Sequence, residues 1–156
     1  MIDPATSKKS FLNLGIILLV LILFSYANTL NSPLNFDDHA VLQQIELSGL
    51  NAYHTAPPIQ YRHLFFLSFS LNQSQNGLEP FAYHLANITF HFLSSLVLLF
   101  IVFFTLEYGT SWQEKHALGI AGLTSILFAI SPLNTETVTY ISGRASGMAG
   151  FFFLLA

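Results

Sequence analysis

The chain has 156 residues, of which 53% are hydrophobic and only 8% are charged, with a formal charge of −3. Globular domains carry about 25% charged residues, so this composition excludes an ordinary water-soluble domain and indicates an integral membrane protein. The absence of cysteine excludes disulfides and thiolate metal sites, and the small net charge gives no sign of a nucleic-acid partner.

The first hydrophobic segment, residues 11–27, follows Lys8 and Lys9. Its apolar core is longer than the roughly 7–15 residues of a signal peptide, and the following SYANTLNSP is a poor cleavage site. The pattern therefore favours an uncleaved transmembrane helix over a cleaved signal peptide.

The next segment, residues 28–83, contains two stretches that predict short amphipathic helices. HAVLQQIEL places apolar residues on one side of a helix. YRHLFFLSFSLN is apolar without a clean period, and we expect it to lie in the membrane interface. This prediction puts four aromatic residues at the depth of the lipid headgroups: Tyr61, Phe65, Phe66 and Phe69.

The rest of the chain alternates between apolar and polar segments, which predicts an all-α polytopic bundle of transmembrane helices. The predicted segments are a second transmembrane helix over 84–106, a turn over 107–116, a third helix over 117–133, a polar loop over 134–145, and the start of a fourth helix over 146–156. No residue ends this last apolar run. We therefore expect the chain to be part of a longer polytopic protein or to end inside a partner's membrane domain.

The few basic residues predict the orientation of the chain. Lys8 and Lys9 precede the first helix, and Lys115 lies in the turn between the second and third helices. By the positive-inside rule, residues 1–10 and this turn are cytoplasmic. Segments 28–83 and 134–145 then share the outer or luminal face.

Two adjacent carboxylates, Asp37 and Asp38, lie in the first outer segment. One interpretation is a solvated pair that caps the helix at HAVLQQ, because aspartate is favoured at helix N-termini. The other is a functional pair, in which one carboxylate is a general base and the other orients a substrate hydroxyl or a metal. The residues alone leave both interpretations open.

Arg62 and Arg144 are the two basic residues predicted on the outer face other than histidine. A guanidinium matches phosphate geometry, so arginines beside carboxylates indicate an anionic leaving group near a base. Arg–Asp ion pairs, or contacts with lipid phosphate, explain them equally well.

Polar residues also occur within the membrane segments. His84, Asn87 and His91 recur at helical spacing, and a hydrogen-bonded stripe facing the bundle is favoured over a metal site. Arg144 lies in SGRASGMAG, whose small residues let membrane helices approach closely. Packing explains the small residues but not the arginine, which needs a partner.

Three segments together resemble one protein family. NFDDHAVL, then YRHLFFLSFSLNQSQNGLEPFAYHLANITFHFL, then SPLNTETVTYISGRASG are similar, in order and spacing, to the N-terminal membrane region of the transmembrane and tetratricopeptide-repeat-containing O-mannosyltransferases and their bacterial relatives. These enzymes are GT-C glycosyltransferases, which use lipid-phosphate-linked sugars. The resemblance covers roughly residues 28–156.

The resemblance implies roles for individual residues. Asp37 matches the catalytic base, and Asp38 its support. Arg62 and Arg144 match positions expected to bind the lipid phosphate, with His63 beside them in place of the family's proline. Ser131 stands where the family pattern has histidine.

The resemblance also implies a reaction: inverting transfer of a sugar from a polyprenyl phosphate to an acceptor hydroxyl on the outer or luminal face. No cofactor is implied with certainty, and a divalent metal is compatible with the acidic pair. The expected partners are the lipid bilayer, a polyprenyl-phosphate sugar, and further helices of the same protein or other membrane subunits. The expected location is a bacterial inner membrane or the endoplasmic reticulum.

The alternative is a non-catalytic membrane subunit that retains part of a GT-C-like fold and packs in a larger membrane complex. GT-C enzymes need more helices than the four started here, and the tetratricopeptide repeats are absent. We therefore expect the 156 residues alone to be inactive.

Overall fold

The computed structural model describes residues 4–35, 37–48, 63–109 and 113–156, and within these ranges every regular element is a helix. This confirms the predicted all-α class. The helices are α1 (Pro4–Tyr26), α2 (Asp37–Ser48), α3 (His63–Asn76), α4 (Pro80–Gly109), α5 (Glu114–Ala129), α6 (Thr135–Thr139) and α7 (Arg144–Leu155). Short 3-10 turns occupy Ala27–Thr29 and Pro132–Asn134.

Two of the helical segments are long and apolar enough to cross a membrane, namely Lys8–Thr29 and Pro80–Gly109, with mean hydropathies of 2.3 and 2.2. At 1.5 Å per residue, α4 is about 45 Å long and exceeds the roughly 30 Å of hydrocarbon in a bilayer. A third span results if Glu114–Ala129 and Pro132–Thr139 are counted as one bent pair. The chain is an integral membrane protein, and the side on which each loop lies stays a prediction.

The bend in the third span has a local cause at Ser131 and Pro132. The two helical pieces meet at 48°. Proline lacks an N–H and disfavours a helical conformation in the residue before it, and Ser131 is accordingly extended, with ψ of 127°. The Ser131 hydroxyl accepts a hydrogen bond from the Leu133 amide and starts the next turn. The predicted helix over 117–133 is therefore interrupted near its end.

The main hydrophobic core surrounds α4, which packs against α1, α5, α6 and α7. Leu18 and Ile22 of α1 are buried in this core together with Ile88 and Leu99 of α4. The opposite side of α1 is exposed, with Phe24 at 90% exposure. An apolar side chain in that position is expected for a helix that faces lipid.

A second cluster lies where α2 and α3 cover the ends of the longer helices. Leu42 and Ile45 of α2 are buried, whereas Asp37 and His39 are exposed, so α2 is amphipathic as predicted. The cluster also contains Tyr83 of α4.

The aromatic residues of α3 have an environment that differs from the sequence expectation. Phe65, Phe66 and Phe69 lie on one side of the helix and are buried in the second cluster. Ring contacts join Phe65 to both of the others. They contact protein rather than lipid headgroups, because α2 and α4 supply an apolar surface on that side. Tyr61 lies outside the described residues.

The turn between α6 and α7 is tightly packed around Gly143. A Cβ at this position would lie 2.7 Å from the Glu136 carbonyl oxygen and 3.0 Å from that of Tyr140. Both neighbours are backbone atoms, so a side chain could be accommodated only if the turn moved.

We predict that Gly143→Ala lowers the free energy of unfolding by about 2 kcal/mol, the usual cost of overpacking. The matched control is Gly150→Ala on α7, where a Cβ meets nothing within 4 Å. That change should be neutral or slightly stabilising, because alanine is the better helix former. Thermal unfolding in a mild detergent compares the two, and equal midpoints would show that the turn tolerates a side chain.

Candidate functional site

Asp38 is a buried carboxylate that links two distant segments. Its Oδ2 accepts a hydrogen bond from the Asn35 amide at 3.1 Å, within the turn that starts α2. Its Oδ1 accepts one from the Ser142 amide at 2.8 Å, in the turn before α7. The side chain is only 1% exposed. Asp38 therefore fixes the start of α2 against the α6–α7 turn.

Asp37 differs from its neighbour because its side chain is exposed. It is the first residue of α2, where unpaired amides and the helix dipole favour a negative charge. The backbone holds it beside Asp38, whose position is fixed by two hydrogen bonds. An exposed carboxylate on a fixed backbone is available to a molecule in solution or at the membrane surface.

Arg144 is the first residue of α7, and it is 1% exposed. Its Nε donates to Asn87 Oδ1 at 2.9 Å, its Nη1 to Ser68 Oγ at 3.2 Å, and its Nη2 to the Tyr83 carbonyl at 3.0 Å. The guanidinium carbon also lies 4.1 Å from the centre of the Phe69 ring, which is a cation–π contact. One side chain therefore joins α3, α4 and α7.

The charge of Arg144 is retained despite this burial. Burial lowers the pKa of the guanidinium to about 10, and the electrostatic interaction with Tyr83 opposes that change. A group with this pKa is a cation at neutral pH. Its three hydrogen-bond partners are neutral, and within the described ranges no carboxylate lies within ion-pair distance of it.

This arrangement does not support the prediction that Arg144 binds the lipid phosphate. All three guanidinium nitrogens donate to protein groups, and the side chain has almost no accessible surface. The alternative ion pair with Asp37 or Asp38 does not form either. The arginine instead holds the turn that carries Ser142, the partner of Asp38.

The polar stripe on α4 faces the bundle, and the predicted hydrogen bonds are confirmed. His84 Nε2 donates to the Ser32 carbonyl at 3.2 Å, and His91 Nε2 donates to the Ala129 carbonyl at 3.0 Å. Asn87 Nδ2 donates to the Tyr140 carbonyl at 2.6 Å. Because carbonyl groups only accept, each histidine must carry its proton on Nε2. The stripe therefore pairs carbonyl groups at the ends of α5 and α6 and in the segment between α1 and α2.

The remaining predicted residues lie near the start of α3. Arg62 lies outside the described residues. His63 is exposed and borders an open groove of about 570 Å³ between α3 and α7, next to Leu64 and across from Phe152. Among the described residues, no group of three His, Cys, Asp or Glu side chains is placed to hold a metal ion.

The sequence predicted neither the partners of Arg144 nor the two backbone amides that bind Asp38. Nothing in the sequence links Ser68 or Asn87 to the arginine. The Ser142 donor is a backbone amide, which no side chain in the sequence indicates. Only the isolated position of Arg144 among small residues indicated that a buried partner had to exist.

Comparison with known proteins supports the family resemblance. The human protein O-mannosyl-transferase TMTC1 is 41% identical over 96 residues, which are 62% of this chain and 10% of that protein. TMTC2 of Xenopus laevis is 33% identical over 149 residues, 86% of this chain and 17% of that protein. Mouse TMTC4 is 35% identical over 101 residues, 62% of this chain and 14% of that protein.

The resemblance to these O-mannosyl-transferases is therefore confirmed, and the chain spans only 10% to 17% of the three relatives. No protein-family model matches the chain. No solved structure matches it either.

We predict that replacing Asp38 destabilises the protein and that replacing Asp37 does not. Asp38→Asn replaces an acceptor by an NH₂ group opposite a buried backbone amide and should cost about 2 kcal/mol of unfolding free energy. Asp37→Asn changes an exposed side chain and should leave the thermal midpoint within about 1 °C of the wild type. Unfolding curves recorded in the same detergent test this, and equal losses for both variants would contradict it.

For Arg144, we predict that even Arg144→Lys destabilises the protein by about 2 kcal/mol. The single nitrogen of lysine cannot reach all three acceptors that the separate guanidinium nitrogens contact, so buried acceptors lose their partner. Lys115→Arg, at an exposed position, is the matched exchange and should have no effect. A wild-type midpoint for Arg144→Lys would show that any cation satisfies this site.

Proposed function

Because the chain is a homologue of the TMTC protein O-mannosyl-transferases over part of their length, we propose that it forms part of a membrane glycosyltransferase. The proposed reaction transfers a sugar, mannose by analogy with those names, from a polyprenyl phosphate to an acceptor hydroxyl. It takes place at the outer or luminal face, in the endoplasmic reticulum or a bacterial inner membrane. The N-terminus is cytoplasmic in this proposal, and the fold is of the GT-C type.

The observation that carries the proposal is the contrast between the two adjacent carboxylates. Asp38 is buried and fixed by two backbone amides, whereas Asp37 is exposed at the start of the same helix. A general base must reach its substrate and must be held in place. Asp37 can reach a substrate because it is exposed. Its position is fixed because the neighbouring Asp38 is held by two hydrogen bonds.

In the proposed mechanism, Asp37 removes the proton from the acceptor hydroxyl. The oxygen attacks the anomeric carbon from the face opposite the phosphate. The bond between that carbon and the phosphate oxygen breaks, and the polyprenyl phosphate leaves with the electron pair. One displacement inverts the anomeric configuration, and the proton remains on Asp37 until solvent removes it.

The leaving phosphate requires a positive or hydrogen-bonding environment. His63 is exposed at the start of α3, and Arg62 precedes it in the sequence, so these two residues are the proposed phosphate ligands. Arg144 contributes indirectly, because it positions the turn that holds Asp38. A divalent metal at Asp37 stays compatible with the proposal and is not required by the displacement.

The test is Asp37→Asn in the protein expressed from its natural gene. The variant protein is purified in detergent and mixed with polyprenyl-phosphate mannose and an acceptor peptide that contains serine and threonine. The mannosylated peptide is then measured by mass spectrometry. Loss of a general base should lower the transfer rate at least about 100-fold. His39→Asn, at the exposed neighbour two residues on, is the control and should retain wild-type transfer.

Both variants must unfold at the wild-type temperature for the comparison to hold. Unchanged transfer by Asp37→Asn would contradict the catalytic role. An absence of transfer by the wild-type protein as well would favour the non-catalytic membrane subunit.

A further inference from the structure

A groove of about 510 Å³ runs between α1 and α5, on the side of the protein away from the acidic pair. The two helices run in the same direction. Ser10 and Lys115 border one end of the groove, and beyond its other end the Tyr26 hydroxyl donates to the Ser131 carbonyl at 3.2 Å. The N-terminal ends of both helices therefore lie at the same membrane surface.

The groove changes from polar to apolar along its length. Asn13 and Lys115 line the end near the helix N-termini, and Ile17 and Ile126 line the other end. From Lys115 to Ile126 the helix rises about 16 Å, which is close to half of the roughly 30 Å hydrocarbon core. The groove, from its lysine end to its apolar end, thus has about the length of one lipid leaflet.

The groove exists because α5 has a glycine where a side chain would fill it. A Cβ at Gly119 would meet no heavy atom within 4 Å. At Gly122, one turn further, a Cβ would lie 3.0 Å from Leu14 of α1. The two helices are in close contact at Gly122 and leave an open channel beside Gly119.

Positive charge is concentrated at the polar end. Lys8 and Lys9 are exposed near the start of α1, and Lys115 is exposed at the start of α5. These are three of the five lysine and arginine residues of the chain. Within the ranges that the structure describes, no acidic side chain lines the groove.

We propose that this groove binds an anionic phospholipid. One acyl chain lies along Ile17 and Gly119, and the phosphate and headgroup carboxylate or glycerol contact Lys115, with Lys8 and Lys9 nearby. Asn13 donates to the ester or phosphate oxygens. A lipid of negative charge fits this groove because its headgroup would pair with Lys115 at the polar end. A protein helix in the groove would instead have to bury the lysine charge. The site is independent of the proposed sugar transfer.

The experiment measures lipid retention by native mass spectrometry of the purified protein in detergent, titrated separately with phosphatidylserine and phosphatidylcholine of the same acyl chains. The wild type should retain phosphatidylserine at a concentration at least about tenfold lower. Replacing Lys115 by glutamine should weaken this preference about fivefold, with similar losses at Lys8 and Lys9. Lys115→Arg should retain it.

The groove itself is tested by Gly119→Leu, which fills the channel and should abolish retention of both lipids. Leu127→Phe enlarges an exposed side chain of α5 outside the groove and should have no effect. Equal retention of the two lipids by the wild type would overturn the proposal. Lipid retention by a folded Gly119→Leu variant would also overturn the proposal. A protein helix would then be the better candidate for the occupant of the groove.

Discussion

The buried guanidinium of Arg144 is the constraint on which the end of the protein that carries α2 and α3 depends. A cation without a carboxylate partner is costly in an apolar environment, and here three neutral acceptors and two aromatic rings offset that cost. Asn87 has both of its polar atoms engaged, because it accepts from the arginine and donates to Tyr140. The turn before α7 is therefore fixed at Tyr140 and at Arg144, which precede and follow Ser142. Its position determines where the Ser142 amide meets Asp38.

The two adjacent aspartates lie at one helix end but in different environments, one buried and one exposed. Successive residues of a helix point about 100° apart, so one side chain can enter the protein while the next faces outward. Burial of Asp38 is tolerated because both carboxylate oxygens accept backbone hydrogen bonds. Of the two interpretations that the sequence left open for the pair, the structural one describes Asp38, and the catalytic one is our proposal for Asp37.

Much of the fold could be predicted because hydropathy is a local property. The long apolar runs that became α1 and α4 are visible in any short window, and the apolar spacing of HAVLQQIEL predicted α2. The contacts of the site are not local. Asn87 and Arg144 are separated by 57 residues, and Asp38 and Ser142 by 104. The long-range donor to Asp38 is also a backbone amide, which every residue but proline has, so no side chain in the sequence identifies it.

The same separation has a consequence for the order of events during synthesis. The N-terminal helices of a chain emerge and insert first. When α2 has just been synthesised, the amide that will bind Asp38 has not yet been made, and neither has the arginine that fixes its turn. The carboxylate must stay hydrated until about one hundred further residues have been added. The segment that contains α2 therefore completes its fold only after α7 has been made, because burial of Asp38 needs the turn that precedes α7.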